Sequence, residues 1–248
     1  MQIETDGVVL REQNTGENDR VITILTRTHG IVRAFAKGSR RLKSGSAAAT
    51  QVFCYSRFVI FRGRDAYTVD DAEIKQMFYG LRDDLEKLTL AQYFCELALA
   101  LSEEEKESGE DLRLLLNGLH YLETGKRPPA LVKAAVEMRY LAQEGYLPNL
   151  IACDTCGTYE SDPMIFRVKD GILQCDQCFR SDSRPSTPIS RGVLAALRHT
   201  VYAPFSKLFA FQLSEAGLKE LGRVTEQFVV LQLERTFRTL DFYRKIPK

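Results

Sequence analysis

Two short phrases carry the most specific chemistry in this 248-residue sequence, Cys153-Asp154-Thr155-Cys156 and Cys175-Asp176-Gln177-Cys178. They spell C-x2-C, eighteen intervening residues, and C-x2-C again. Each C-x2-C sets two thiolates on a tight knuckle, and a hairpin between them brings the pairs around one tetrahedral ion. Gly157 follows the first pair and Gly171 falls on the expected hairpin, where positive φ is easily accepted. A site closed by four thiolates has no open position, so the reading is one structural Zn²⁺ per chain on Cys153, Cys156, Cys175 and Cys178. A redox dithiol pair and an iron–sulfur cluster are the alternatives left open. Cys54 and Cys95 fall inside apolar patterns and are expected to be buried, inert thiols.

No catalytic constellation accompanies the cysteines. The three histidines, His29, His120 and His199, are scattered and form no HExxH. No H-x-E precedes the cysteines, so the zinc-deaminase signature is missing. Gly38 to Ser44 has the look of a P-loop, but Leu42 stands where the glycine before Lys43 is required. Asp70-Asp71 and Asp83-Asp84 are paired carboxylates whose expected roles are capping and solvation. The expectation is a binding protein, not an enzyme.

Charge is the second signal. The formal net charge is +1, yet residues 20–64 hold ten Lys or Arg and no acid. Residues 70–111 carry a net −9, and residues 191–248 a net +5. A long acid-free segment points to a polyanion partner. Arg33, Lys37, Arg40, Arg41 and Lys43 are the expected phosphate contacts, with Arg20 and Arg27 in second rank. The alternative is a solvated basic face that meets no partner.

These residues need elements to hold them. Val21–Thr26 and Ile31–Lys37 are rich in β-branched and aromatic residues, and Thr28-His29-Gly30 can turn a hairpin between them. In the second strand Val32, Ala34 and Ala36 share one face, while Arg33, Phe35 and Lys37 share the other. Phe35 is read two ways, as a base-stacking ring or as a filler for a core that small residues leave thin. Gln51–Phe61 and Tyr67–Val69 add strands, and the basic loop Gly38–Ser46 lies between. Several short strands in about eighty residues predict a five-stranded OB-fold.

From about residue 78 the period becomes helical: Leu81, Leu85, Leu88, Cys95 and Leu99, then Leu112, Leu115, Leu116, Leu119 and Leu122. A helix over 130–145 follows Pro128-Pro129, and Ser190 and Ser214 are placed to cap two more. The last is expected to run to about Phe237. The acids Glu103–Glu105, Glu107 and Glu110 read as a solvated loop between helices. The fold class expected is therefore α+β and multidomain: an OB-fold barrel over 1–79, an α-helical domain over 80–150 and 185–248, and a zinc-binding insertion over 151–184. No apolar run approaches the roughly 18–20 residues of a membrane span. The start MQIETDGVVLREQNTGE lacks the features of a signal peptide. A cytoplasmic, nucleoid-associated protein with reduced cysteines is expected.

With this layout, the phrases ETDGVVLR, GENDRVITILTRTHGIVRAFAKGSRR and EGYLPNLIACDTCG make the chain closely resemble the bacterial RecO recombination-mediator family along its whole length. The knuckle is the less specific part, since many zinc ribbons share it. The resemblance implies an N-terminal OB-fold, a helical domain and a zinc-binding segment. It also implies binding of single- and double-stranded DNA and annealing of complementary strands. With the partner RecR, it implies loading of RecA onto DNA covered by single-strand-binding protein, whose acidic C-terminal tail meets the helical part. Arg191, Arg198 and Lys207, near Phe205 and Phe209, are bases that could serve such a tail. Two other classes stay open: a zinc-stabilised scaffold for acidic proteins, and a zinc-ribbon transcription or translation factor.

Overall fold

Period-two alternation builds the first element, β1 (Gln2–Thr15), which puts Ile3 and Thr5 inside and leaves Gln2 and Glu4 outside. The computed structural model describes residues 1–41, 46–64 and 66–246. β1 pairs antiparallel with β2 (Asp19–Thr26) and, on its other side, with β4 (Cys54–Arg62). β2 pairs with β3 (Gly30–Ala36), and β4 with β5 (Tyr67–Met77). A short parallel pairing of β3 with β5, Ala34 to Tyr67 and Phe35 to Thr68, closes the barrel in the order β1-β2-β3-β5-β4. β1 extends through the N-terminal segment, and β5 runs eight residues beyond Val69. Both continue past the β-branched runs because strand partners, not local propensity, hold them.

The small side chains of β3 do not leave the core thin. Val32, Ala34 and Ala36 point inward and are met by Phe58, Ile22, Ile24 and Ile60 from neighbouring strands. Phe35 faces out and is 41% exposed, so it fills no core. At the β2–β3 turn, Gly30 has φ +60°, and a Cβ there would collide with the carbonyl oxygen of Glu103. That close approach lets the acidic loop hydrogen-bond along the turn: Ile31 N–H donates to Glu103 O at 3.0 Å and Glu105 N–H to His29 O at 3.0 Å. The loop is thus backbone-bonded to the barrel.

Packing divides the chain into two compact units, Met1–Thr124 with Phe237–Lys248, and Gly125–Thr236. This cut differs from one drawn where the hydrophobic period changes. In the first unit α1 (Leu85–Leu101) and α2 (Gly109–Thr124) pack beside the barrel, and α6 (Arg238–Tyr243) packs on α1. The predicted face of α1 is only partly right. Leu85 is 56% exposed, while Leu90, Tyr93, Phe94, Leu97, Ala98 and Leu101 are buried. The helix is covered by α2, α6 and β1 at once, so its apolar residues do not form a single stripe.

In the second unit α3 (Pro129–Gln143) packs on α4 (Arg191–Tyr202) and α5 (Glu215–Gln232). A four-stranded sheet of β6 (Asn149–Cys153), β7 (Met164–Arg167), β8 (Ile172–Cys175) and β9 (Ser186–Ile189) has the order β6-β8-β7-β9. Ser214 caps α5 by accepting from Gly217 N–H. Ser190 holds the N-cap position of α4, but its side chain makes no capping bond: its N–H and hydroxyl donate to the Glu220 carboxylate at 2.7 and 2.9 Å. The last long helix stops at Gln232, short of Phe237, and Glu234 turns with φ 46°. Phe237 then packs edge-on against Tyr93, ring centres 5.6 Å apart, before α6 begins. No helix among the described residues is long and apolar enough to cross a membrane.

Candidate nucleic-acid face and metal centre

The sheet of the second unit delivers the four thiols. Cys153 ends β6 and Cys175 ends β8, and the adjacent turns supply Cys156 and Cys178. The two knuckles are tied by Gly157 N–H to Cys153 O, 2.9 Å, and by Cys178 N–H to Cys175 O, 3.1 Å, with Gly157 at φ +74°. All four sulfurs lie within 4.8 Å of one another, and Cys156 Sγ stands 3.7 Å from Cys175 Sγ. Sulfurs about 2.3 Å from a tetrahedral ion are roughly 3.8 Å apart, so the cluster fits a metal ion. The Thr158 hydroxyl lies 3.1 Å from Cys156 Sγ. Cys54 and Cys95 are buried, and burial pushes the Cys95 thiol up to about 12.

Arg198 braces this centre. It donates to the carbonyls of Leu150, Ile151 and Tyr159 at 2.7, 2.8 and 2.7 Å, and stacks on the Tyr159 ring at 3.9 Å. Arg191 is paired with Glu160 at 2.6 Å, and Phe209 is buried. Of the bases that could meet an acidic tail, two thus already have partners within their own unit.

The paired carboxylates do not assemble. Asp84 accepts from Lys87 N–H at 3.0 Å as the cap of α1, and Asp71 accepts from Ala72 N–H at 2.9 Å. The four cysteines are the only cluster among the described residues that could hold a metal ion.

The bases of residues 20–64 separate into three kinds. Arg33 and Lys37 stand exposed on the outer side of β3 and just past its end. Arg41 is exposed beyond Gly38, and none of the three side chains has a polar partner among the described residues. Arg40 is exposed too, but its Nη1 donates to the carbonyl of Glu17 at 3.1 Å. Arg20 works inside the barrel wall, donating to Ala47 O at 2.9 Å. Arg27 is exposed beside a polar recess of about 300 Å³, where Arg57 pairs with Glu4 and Lys75 with Asp6. Lys43 lies outside the described residues.

Strand register adds one base that sequence reasoning missed. Arg11 pairs with Thr23, and Thr23 with Arg33, so a row Arg11–Thr23–Arg33 crosses three strands with both arginines exposed and Thr23 half-buried. Arg11 precedes Glu12 and lies outside the acid-free segment; only the pairing reveals it. A second row on the same outer side runs Val21–Phe35–Thr68–Phe61, with Phe61 52% exposed.

A barrel closed in this order is an OB-type fold, and the second unit adds a four-thiol metal knuckle. Comparison with known proteins agrees with that class. The family model described as recombination protein O, N terminal, matches residues 1–78, and the one described as recombination protein O, C terminal, matches residues 82–241. The chain is 38% identical to the DNA repair protein RecO of Acetivibrio thermocellus over 247 residues, 99% of this chain and 98% of that one. It is 33% identical to the DNA repair protein RecO of Alkaliphilus metalliredigens, over 99% of this chain and 100% of that one. The chain belongs to the recombination protein O family, a family of DNA repair proteins.

Proposed function

We propose that this protein is a DNA-binding recombination mediator that binds single- and double-stranded DNA and anneals complementary strands. With RecR it would help load RecA onto DNA coated by single-strand-binding protein. The observation that carries the reading is the set of exposed bases on the barrel, Arg11 and Arg33 in register across three strands and Lys37 just past the end of β3, none with a carboxylate partner among the described residues. Annealing is done by the nucleic acid. A protein speeds it by neutralising phosphates on both strands, so that two polyanions can approach. That role needs no catalytic residue, and the reading assigns none.

On this reading residues 1–79 form the DNA-binding domain, with Arg33, Lys37 and Arg41 on phosphates and Arg40, Arg27, Arg20 and Lys43 behind them. The four cysteines hold one structural Zn²⁺, which would fix the knuckle's fold. The test is annealing of complementary oligonucleotides, with and without single-strand-binding protein, beside binding to random oligonucleotides over a salt series. Arg33→Ala/Lys37→Ala should lower the slope of log K against log salt by about 1.4 on single strands and slow annealing. A variant that binds and anneals like wild type, while losing affinity for an acidic peptide, would overturn the reading in favour of a scaffold for acidic proteins.

A further inference from the structure

Positive and negative charge stand on different strands of the barrel's outer face. Arg11 and Arg33 stand on the β1-β2-β3 side. The acids Asp70, Asp71 and Glu73 stand exposed along β5, with Glu73 beside Arg57 on β4. A phosphate backbone is drawn to the first side and repelled from the second. On the same outer face, Phe35, Thr68 and Phe61 pair in register across β3, β5 and β4, a row that crosses β5 near its start, ahead of the acids. Phe35 is 41% exposed and Phe61 52% exposed, although both belong to strands whose alternate residues are fully buried. Single exposed rings need no explanation. Two rings at one level of the barrel stand about 9.5 Å apart across two strand spacings, and Arg33, two residues from Phe35, has no polar partner among the described residues.

We propose that Phe35 and Phe61 are two base-stacking platforms, making this face selective for unpaired nucleotides, with Arg11 and Arg33 holding the adjoining phosphates. The inference rests on reading the barrel as a DNA-binding face. A base inside a duplex has both faces covered by its neighbours, whereas an unpaired base offers a free face to a ring. Arginine contacts are blind to this difference, since they meet the backbone. The rings therefore supply the discrimination and the bases supply the attraction.

The experiment uses the full chain and three probes: an oligothymidylate, a duplex of equal length, and an abasic strand with phosphates but no bases. Phe35→Ala should weaken oligothymidylate binding by roughly 5- to 150-fold, and leave duplex and abasic strand within about twofold. Phe61→Ala should act the same way, and Phe35→Tyr should restore binding, because any aromatic face can stack. Arg33→Ala/Arg11→Ala should weaken all three probes alike. Both rings are exposed, so melting curves of the variants should overlay wild type. If Phe35→Ala and Phe61→Ala leave oligothymidylate binding unchanged while the arginine variant weakens every probe, the platforms are refuted and the DNA-binding face stands. If the arginine variant also changes nothing, the reading of the barrel fails and the platforms fall with it.

Discussion

Arg40 donates from Nη1 to the carbonyl oxygen of Glu17 at 3.1 Å and so fastens the β3–β4 loop to the β1–β2 turn. Two more bonds reinforce the tie: Gly38 N–H donates to Asp19 Oδ1 at 2.7 Å, and Arg40 N–H to Asn18 O at 3.0 Å. The side chain of the neighbouring Arg41 makes no such bond among the described residues. The two arginines, equivalent in sequence, should separate in experiment. Arg41→Ala should lower the salt slope of single-strand binding by about 0.7 and leave melting unchanged. Arg40→Ala should cost up to about 1 kcal/mol of stability as well, the scale of one exposed hydrogen bond. Salt titration and thermal melting of the two variants side by side check this. Equal behaviour in both assays would refute it.

A buried ion network gives the second prediction. Lys133 and Glu137, one turn apart on α3, are 1% and 0% exposed, and their charged groups meet at 2.8 Å. Glu226 of α5 approaches Lys133 at 3.0 Å, and the Thr225 hydroxyl donates to Glu137 at 2.6 Å. Burial pushes the Glu137 carboxyl up, opposed chiefly by Lys133. Lys133→Met removes the main cation and leaves a carboxylate inside the core, so it should destabilise by about 3–5 kcal/mol. Urea unfolding of wild type and variant measures it; a loss under about 1 kcal/mol would show that the network carries little net energy.

The metal centre makes a third. Elemental analysis should find one zinc per chain, and chelation should unfold the knuckle while leaving the barrel's spectroscopic signature. Cys175→Ser replaces a sulfur that is only 3% exposed, and should lower both zinc content and melting temperature. Protein with neither zinc nor iron would end the assignment; iron with visible absorbance would change it to a cluster.

How far these features could be read from sequence depends on how local their cause is. The C-x2-C pairs are local, and the sulfurs stand together. The alternation in β3 is local too, and it placed Arg33 outside and Ala34 inside. Phe35 had two readings because its side depends on whether other strands fill the core, and Phe58 and Ile60 of β4 do so. Arg11 and Phe61 could not be found by composition, since their alignment with Arg33 and Phe35 exists only through strand register. The partners of Arg198, 39 to 48 residues away in the chain, were equally out of reach. The helix face of α1 was misread because three neighbours bury it together.

The last prediction concerns acid. Asp182 accepts from Arg167 Nη2 at 2.6 Å, from Arg184 Nε at 2.8 Å, and from the Arg184 backbone N–H at 2.9 Å. Arg167 ends β7 and is only 3% exposed, so Asp182 fastens the segment after the second knuckle to the sheet. The Arg167 guanidinium, more than any other group, holds the Asp182 carboxyl well below the usual carboxylate range. A carboxyl whose value is lowered on folding binds protons more weakly in the native state than in the unfolded one. Its stabilising contribution is therefore complete above the unfolded value, about 3.9, and is lost as the pH falls through the folded value. Asp182→Asn removes the charge at every pH. At neutral pH the variant should melt below wild type, and the gap should narrow as the pH drops below about 4. Melting curves of both proteins over an acid series test it. A gap that stays constant down to the acid end would mean that the Arg167–Asp182 contact stabilises by geometry and not by charge.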